Sequence, residues 1–421
     1  MSARDTADVS ADASSDVSTD AASGPSDERL DPAFPAGFAA HTGHLGLRDE
    51  GDDLAVVVTD APAACAALFT RSRFAGASVL LSRPRAATGS ARGFVVVAKN
   101  ANVATGPRGE RNALEVTELA GAATGVPGEQ LLIASTGVIG RQYPMAAMRE
   151  YFAAPSGLAL DATPRDVATA IMTTDSHPKL ATATVGAATV VGFAKGVGMI
   201  EPDMATMLAY VLTDADVDAA TLERVWRPAV DASFNCLSID TDTSTSDSAI
   251  LLASGAAGPV DEAELAGALA RVCLDLTLQL ARDGEGATKL ITVEVTGARD
   301  AAQAKRVAKT VLNSPLVKTA VHGADPNWGR VAMAIGKCSE DTDIDQHAVT
   351  IGFGDLQLYP ETDAGNDTEA RLDRLREIMS ADDVTIRIGL GLSDPAGPHR
   401  ARVYGCDLTE EYVRFNSEYT T

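Results

Sequence analysis

The chain has 421 residues, 45% of them hydrophobic and 22% charged, which is the balance of a folded soluble protein with more than one domain and a large core. A formal net charge of −23, from 58 acidic against 35 basic residues, argues against nucleic acid or an anionic membrane as the main partner, because phosphate would be repelled. The longest apolar runs, "LAVVVTDA" and "FVVVAKN", are strand-length and far short of a membrane span.

Residues 1–30 are dominated by Ser, Asp and Ala and are expected to form a disordered acidic tail, since they bury too little to order themselves. No basic stretch followed by an apolar one marks a secretory signal there, and a cytoplasmic location is expected. Next come short segments rich in branched residues, predicted as strands: "LAVVVTD" (54–60), "ASVLLS" (77–82), "GFVVVAKN" (93–100) and "EQLLIAST" (129–136). Helical spacing of apolar residues covers 109–123, 164–172, 217–232 and 261–282, with Gly284 placed as a stop. A further apolar, strand-like run begins at Thr206.

From residue 289 a second alternation begins. Strands are predicted at 289–297, 318–323 ("KTAVHG"), 356–360, 384–391 and 401–408, and helices at 300–312, around 328–336, and at 367–379. Mixed α/β architecture in two or three domains follows, in an order unlike that of a doubly wound sheet. Glycine-rich junctions near 195 and 284 put candidate sites between domains. Cys65, Cys236, Cys273, Cys338 and Cys406 are odd in number, widely spaced and mostly in apolar stretches, as buried thiols of a reducing compartment would be.

Common catalytic and metal signatures are incomplete. "IDTDTSTSD" sets Asp240, Asp242 and Ser244 at the first positions of a calcium loop, but Thr245 stands where glycine is needed and Leu251 where a bidentate Glu is needed. "KGVG" lacks the third glycine of a nucleotide fingerprint, and no G-x-S-x-G elbow occurs. His41 and His44 have no matching second pair, while His177, His322, His347 and His399 are isolated.

"KGVGMIEPDMATML" (195–208) is different, because it sets a small residue, Ala205, before a hydroxyl residue at the start of an apolar run. Threonine is a weak nucleophile until it becomes the first residue of a chain. Its own α-amine, titrating near ~7.7–8.0, then serves as the base. Such an arrangement at 206 requires the preceding bond to break, by an N-to-O acyl shift and hydrolysis.

Seven blocks turn that pair into a signal: "STGVIGRQYPM" (135–145), "MTTD" (172–175), "AKGVGMIEPDMATML" (194–208), "SIDTDTSTSDSAILLASG" (238–255), "DGEGATK" (283–289), "DPNWGR" (325–330) and "NSEYTT" (416–421). Together, and in this order, they resemble the ornithine acetyltransferase family, also called glutamate N-acetyltransferase, from about residue 35 to the end. The wording is most similar to the branch associated with clavulanic-acid clusters of actinomycetes. Val197 and Asp203 stand where many arginine-pathway members have Ser and Asn.

The resemblance implies a four-layer α/β/β/α sandwich of the self-cleaving N-terminal-nucleophile type, with a smaller C-terminal αβ domain. Cleavage between Ala205 and Thr206 would leave an α chain (31–205) and a β chain. The first part of the β chain, 206–284, completes the sandwich, and 285–421 form the C-terminal domain, whose tail 416–421 returns to the active site. Two α and two β chains are expected to associate. The implied activity moves acetyl from N-acetyl-L-ornithine to L-glutamate by a ping-pong route, with no metal or organic cofactor.

Thr206 is the implied nucleophile, with the Thr136 hydroxyl and Gly137 N–H as oxyanion hole. Thr173, Lys195, Thr206, Glu285, Asn416 and Thr421 are the implied substrate contacts. A cation at 195 suits the α-carboxylate common to both substrates, and a carboxylate at 285 suits the ornithine ammonium. Glutamate carries a carboxylate at that end, so Glu285 cannot receive both unchanged. The alternatives are a self-cleaving aminopeptidase or amidohydrolase, which would deliver the acyl group to water, and a processed but inactive binding paralogue.

Overall fold

The computed structural model of the protein describes residues 31–154, 157–201, 207–361 and 368–418. The tail at 1–30, the junction residues Ala205 and Thr206, and Thr421 lie outside the described residues.

Strand β1 (Phe38–Gly43) pairs antiparallel with the first half of β2 (Leu54–Phe69). There follow α1 (Ala77–Ala86), β3 (Ser90–Val97), α2 (Gly106–Thr124), β4 (Leu132–Ser135), α3 (Met145–Phe152) and α4 (Pro164–Ala170). Next come β5 (Lys179–Val185), β6 (Ala188–Lys195), β7 (Leu208–Asp216), α5 (Ala219–Ala232), β8 (Ser248–Pro259) and α6 (Glu262–Arg282). Among the described residues these strands form one eight-stranded sheet, ordered β4-β3-β2-β8-β7-β6-β5 with β1 beside β2.

The sheet folds over along β2. Leu54–Val58 pair with β3, the register shifts between Val58 and Ala63, and Ala64–Phe69 pair with β8. Phe94 of β3 therefore stacks on Tyr210 of β7 at a ring separation of 4.3 Å, although β2 and β8 stand between those strands in the sheet. Period-two alternation assigns the faces. Phe94 and Val96 meet Leu208, Tyr210 and Leu212 in the inner core. Val95 and Val97 face outward onto Val116 and Ala120 of α2 and Met148 of α3, whereas Ala209 and Val211 face outward onto α5 and α6. The layers are thus helix, strand, strand, helix: a four-layer α/β/β/α sandwich.

A smaller αβ unit follows, with β9 (Leu290–Thr296), α7 (Ala301–Leu312), α8 (Pro315–His322), α9 (Trp328–Gly336), β10 (Thr350–Phe353), β11 (Leu356–Tyr359), α10 (Thr368–Ser380), β12 (Asp383–Gly389), β13 (Ala401–Cys406) and α11 (Glu410–Glu418). Its five strands among the described residues order as β11-β10-β12-β9-β13. Helix α6 starts where the Asp261 side chain accepts from the N–H groups of Ala263 and Glu264, a helix N-cap. It packs on β5 and β6 and on β13, so one buried cluster runs from the large sheet into the small one.

Two predicted strands are helices. "ASVLLS" opens α1, where Ser78 and Ser82, one turn apart, are both buried; the Ser82 hydroxyl donates to the Ile133 carbonyl and accepts from the Ile133 N–H, both at 2.7 Å. The hydrogen-bonded serines occupy a face that apolar spacing alone does not mark. "KTAVHG" closes α8, whose start is set by Pro315 in its first turn, after Ser314 at the N-cap. Of the cysteines, Cys65, Cys236, Cys273 and Cys406 are buried and Cys338 is partly exposed. Burial, with a smaller push from Glu223, raises the Cys65 thiol to about 12.

Candidate active site

A cavity of about 450 Å³ opens where β4 and β6 end and where β7 and β8 begin. Thr136, Gly137, Thr173, Lys195, Glu285 and Asn416 all line it, brought together from across the chain. Met207, the residue after Thr206, lines it too. Thr206 and Thr421, the other two expected site residues, lie outside the described residues.

Thr136 and Gly137 follow the last residue of β4. The Thr136 N–H donates to the Val97 carbonyl at 3.2 Å, extending the β3–β4 pairing by one step. Gly137 has φ +132°, and a Cβ there would lie 2.2 Å from the backbone carbonyl carbon of Lys99. Both the conformation and the space demand glycine. No acceptor among the described residues takes the Gly137 N–H, and Gly137 lines the cavity. Behind this turn, Tyr143 donates to the Ser135 hydroxyl at 2.8 Å, and Asn100 donates to the Gln142 carbonyl at 3.0 Å. Burial pushes the Tyr143 phenol up to about 12, so it stays a donor.

Lys195 ends β6 and is buried. Burial lowers its affinity for a proton; Asp175 and Asp247 oppose this, while Lys179 and Lys99 add to it. Asp175 organises the surroundings. Its carboxylate accepts from the N–H groups of Thr173 (2.9 Å) and Gly196 (2.6 Å) and from Lys179 Nζ (2.8 Å). Burial alone would raise this carboxyl, but Lys179 and Lys195 overrule it and hold it well below the usual carboxylate range. Lys179 Nζ also reaches Asp283 at 2.6 Å. Lys99 donates to the Thr173 carbonyl, fixing the "MTTD" turn from its other side.

Glu285 stands just beyond α6, its N–H donating to the Val197 carbonyl at 2.8 Å. Its carboxylate accepts from Thr174 Oγ1 at 3.2 Å and from Asn416 Nδ2 at 2.8 Å, which ties α11 to the cavity. A Cβ at Gly198 would fall 2.5 Å from Glu285 Oε2, so glycine there makes room for the carboxylate. Asp240, first of the calcium-loop positions, accepts from the N–H groups of Met199 (2.6 Å) and Ile200 (2.8 Å). Its oxygens are used to shape the loop after β6. Tyr412, on α11, donates to Asp240 at 3.5 Å, and its phenol is pushed upward by burial and then by Asp240 and Glu285.

Reading by sequence alone missed Asp175, Lys179, Asp283 and Asp247. Asp175, Asp247 and Asp283 fall inside quoted blocks and could have been singled out as carboxylates beside expected contacts. Lys179 carries no such mark.

A four-layer sandwich whose cavity is lined by the buried Lys195, by Glu285 and by the Thr136–Gly137 turn, with Asp240, Asp242 and Asp247 in the same wall, is a polar site of amino-acid size. The chain belongs to the ArgJ family, whose model matches residues 39–421. It is 57% identical over 392 residues to glutamate N-acetyltransferase Oat2 of Streptomyces clavuligerus, covering 93% of this chain and 99% of that one. It is 51% identical over 388 residues to arginine biosynthesis bifunctional protein ArgJ 2 of Nostoc sp., covering 92% and 98%. The crystal structure of arginine biosynthesis bifunctional protein ArgJ from Bacillus halodurans is 37% identical and covers 51% of this chain and 100% of its own, with a TM-score of 0.46.

Proposed function

We propose that this protein transfers acetyl from N-acetyl-L-ornithine to L-glutamate through an acetyl group held on Thr206. The observation that carries this reading is the convergence of Thr136, Gly137, Thr173, Lys195, Glu285 and Asn416 on one cavity, with Met207 in its wall. A nucleophile at 206 is bonded directly to that wall residue. The relative from Streptomyces clavuligerus is named for the same transfer to glutamate.

The steps follow from the residue types. The chain first cuts itself between Ala205 and Thr206, freeing the Thr206 α-amine. That amine takes the hydroxyl proton as the oxygen attacks the acetyl carbon. The oxyanion is received by the Thr136 hydroxyl and the Gly137 N–H; losing one such donor commonly costs ~2.7–4 kcal/mol of barrier. Lys195 attracts the α-carboxylate, Glu285 receives the ornithine ammonium, and Thr173, Asn416 and Thr421 complete the contacts. Ornithine leaves, glutamate enters, and its amine takes the acetyl group. The working form is two α and two β chains in the cytoplasm, divided as 31–205 and 206–421, with 285–421 as the second domain.

Mass spectrometry of the 206–421 fragment tests this. Incubation with N-acetylornithine alone should add one acetyl group at Thr206 and release ornithine, and glutamate should then remove the label as N-acetylglutamate. If acetyl never appears on that fragment, the covalent route is wrong. Discharge to water regardless of glutamate would identify a hydrolase.

A further inference from the structure

Asp247 immediately precedes β8, is 2% exposed and forms part of the cavity wall. Its main chain is fixed from two sides. The Asp247 carbonyl accepts from Thr70 N–H at 3.1 Å, and the next residue, Ser248, donates to the Met207 carbonyl at 3.0 Å. Among the described residues its Oδ2 has no hydrogen-bond partner. A buried carboxyl oxygen left unpaired costs the fold stability that a hydrogen-bonding ligand in the cavity would restore.

Burial raises the proton affinity of this carboxyl well above the usual range; Ser244, Lys195 and Thr70 pull it back only in part. Lys195, whose charge acts on Asp247, loses proton affinity by burial. An entering carboxylate changes both in a useful direction, because opposite charge favours the ammonium and like charge favours the protonated acid. We propose that Asp247 is a second carboxylate-binding group of this cavity, giving a directed O–H···O hydrogen bond from its unpartnered Oδ2 to the α-carboxylate that Lys195 attracts. The proposal rests on the acetyl-transfer reading, in which both substrates present that carboxylate.

Chemistry explains why a second group is needed. An ammonium is a compact charge on a flexible stem and does not fix the plane of a carboxylate. An acid O–H facing an ionised oxygen supplies a short, directional, charge-assisted bond. Asparagine can keep a donor at this position, whereas alanine cannot.

Several charged groups share the wall. Lys195 acts on Asp247 directly, with Asp175, Lys179 and Lys99 acting on Lys195 in turn. Asp240, Asp242, Glu285 and Tyr412 line the rest of the cavity. Asp247 donates only while protonated, so binding is strongest on the acid side and weakens as pH rises through its titration. Lys195 adds its own alkaline loss. The two are separable, since Asp247→Asn removes only the first.

The test uses the full-length, processed enzyme. L-glutamate binding is measured by calorimetry, and the Michaelis constants of both substrates are measured between pH 6 and 10, for wild type, Asp247→Asn and Asp247→Ala. Asp247→Ala should weaken both substrates by about tenfold or more at pH 6.5, with kcat moving less than KM. Asp247→Asn should restore most of that affinity and titrate with one ionisation fewer than wild type. Wild-type glutamate affinity in Asp247→Ala would overturn the proposal, as would an Asp247→Asn defect as large as that of Asp247→Ala. Where Asp247→Ala does not fold, the pH comparison of Asp247→Asn with wild type decides alone. Failure of wild type to become acetylated would instead sink the acetyl-transfer reading, and the glutamate titration would still judge Asp247.

Discussion

Asp175 shows how much of this site depends on one side chain that touches both halves of it. It holds the N–H of Thr173 and the N–H of Gly196, the residue after Lys195, while bonding the buried Lys179. Asp175→Asn keeps the shape and removes the charge, leaving Lys179 paired with the Asp283 carboxylate and the His177 carbonyl. Breaking a buried pair by removing one partner costs ~3–5 kcal/mol, and the remaining Asp283 contact puts the expected loss at the lower end. The carboxyl is held below its unfolded value, so its stabilisation is present above about pH 4 and is lost as pH falls through the folded value. The stability gap between wild type and Asp175→Asn in denaturant titrations should therefore be full at pH 7 and shrink below about pH 4. A gap unchanged down to pH 3 would refute the electrostatic assignment. At this scale the sequence was legible through its motif blocks, which carried Thr136, Lys195 and Glu285. It was blind to burial: nothing in "DSHPK" distinguishes a solvated Lys179 from one sealed between two carboxylates.

Elements were legible where the period was long. The helices predicted at 109–123, 217–232 and 261–282 correspond to α2, α5 and α6 within a few residues, because each presents a sustained apolar stripe. Short runs were ambiguous, and α1 and α8 were misread because tertiary burial of Ser82 and a Ser-Pro start decided them. The turn after β4 has little tolerance for a side chain. Gly137→Ala would bring a Cβ within 2.2 Å of the Lys99 backbone at φ +132°, and strained conformations of this kind cost about 1–3 kcal/mol before any clash. The expected outcome is loss of acetyl transfer with a lowered melting temperature. Wild-type turnover and melting temperature in Gly137→Ala would show that the turn accommodates a Cβ, and would refute the steric demand for glycine.

Across the whole molecule, the two wings of the folded sheet meet through Phe94, Phe193 and Tyr210, with Phe193 and Tyr210 at 5.5 Å and Phe94 and Phe193 at 6.5 Å. Phe94→Ala should cost about 3–5 kcal/mol, measured by denaturant unfolding. Tyr210→Phe should behave oppositely. The Tyr210 hydroxyl is buried with no hydrogen-bond partner among the described residues, so its removal keeps the stack and relieves an unpaired group. Stability should hold or rise by about 1 kcal/mol; a comparable loss would mean the hydroxyl has a partner.

The strand order carries one more consequence. Reading across the sheet, β2 comes from before residue 202, β8 and β7 from after residue 206, and β6 from before again. The later segment is wedged between two ladders of the earlier one, Ala64–Phe69 against β8 and Val190–Lys195 against β7. A cut between β6 and β7 therefore yields two interlocked pieces, neither of which owns the whole of the eight-stranded sheet. Such pieces should co-elute through any native column and part only in denaturant. Each expressed alone should fail to fold its share of the large sheet, because the pairing edges of β2 and β6 in one piece, and of β8 and β7 in the other, would have no partner. Processing would then be a one-way event: the chain must close its topology before it is cut, and a separated pair could regain that topology only by unfolding and threading together again.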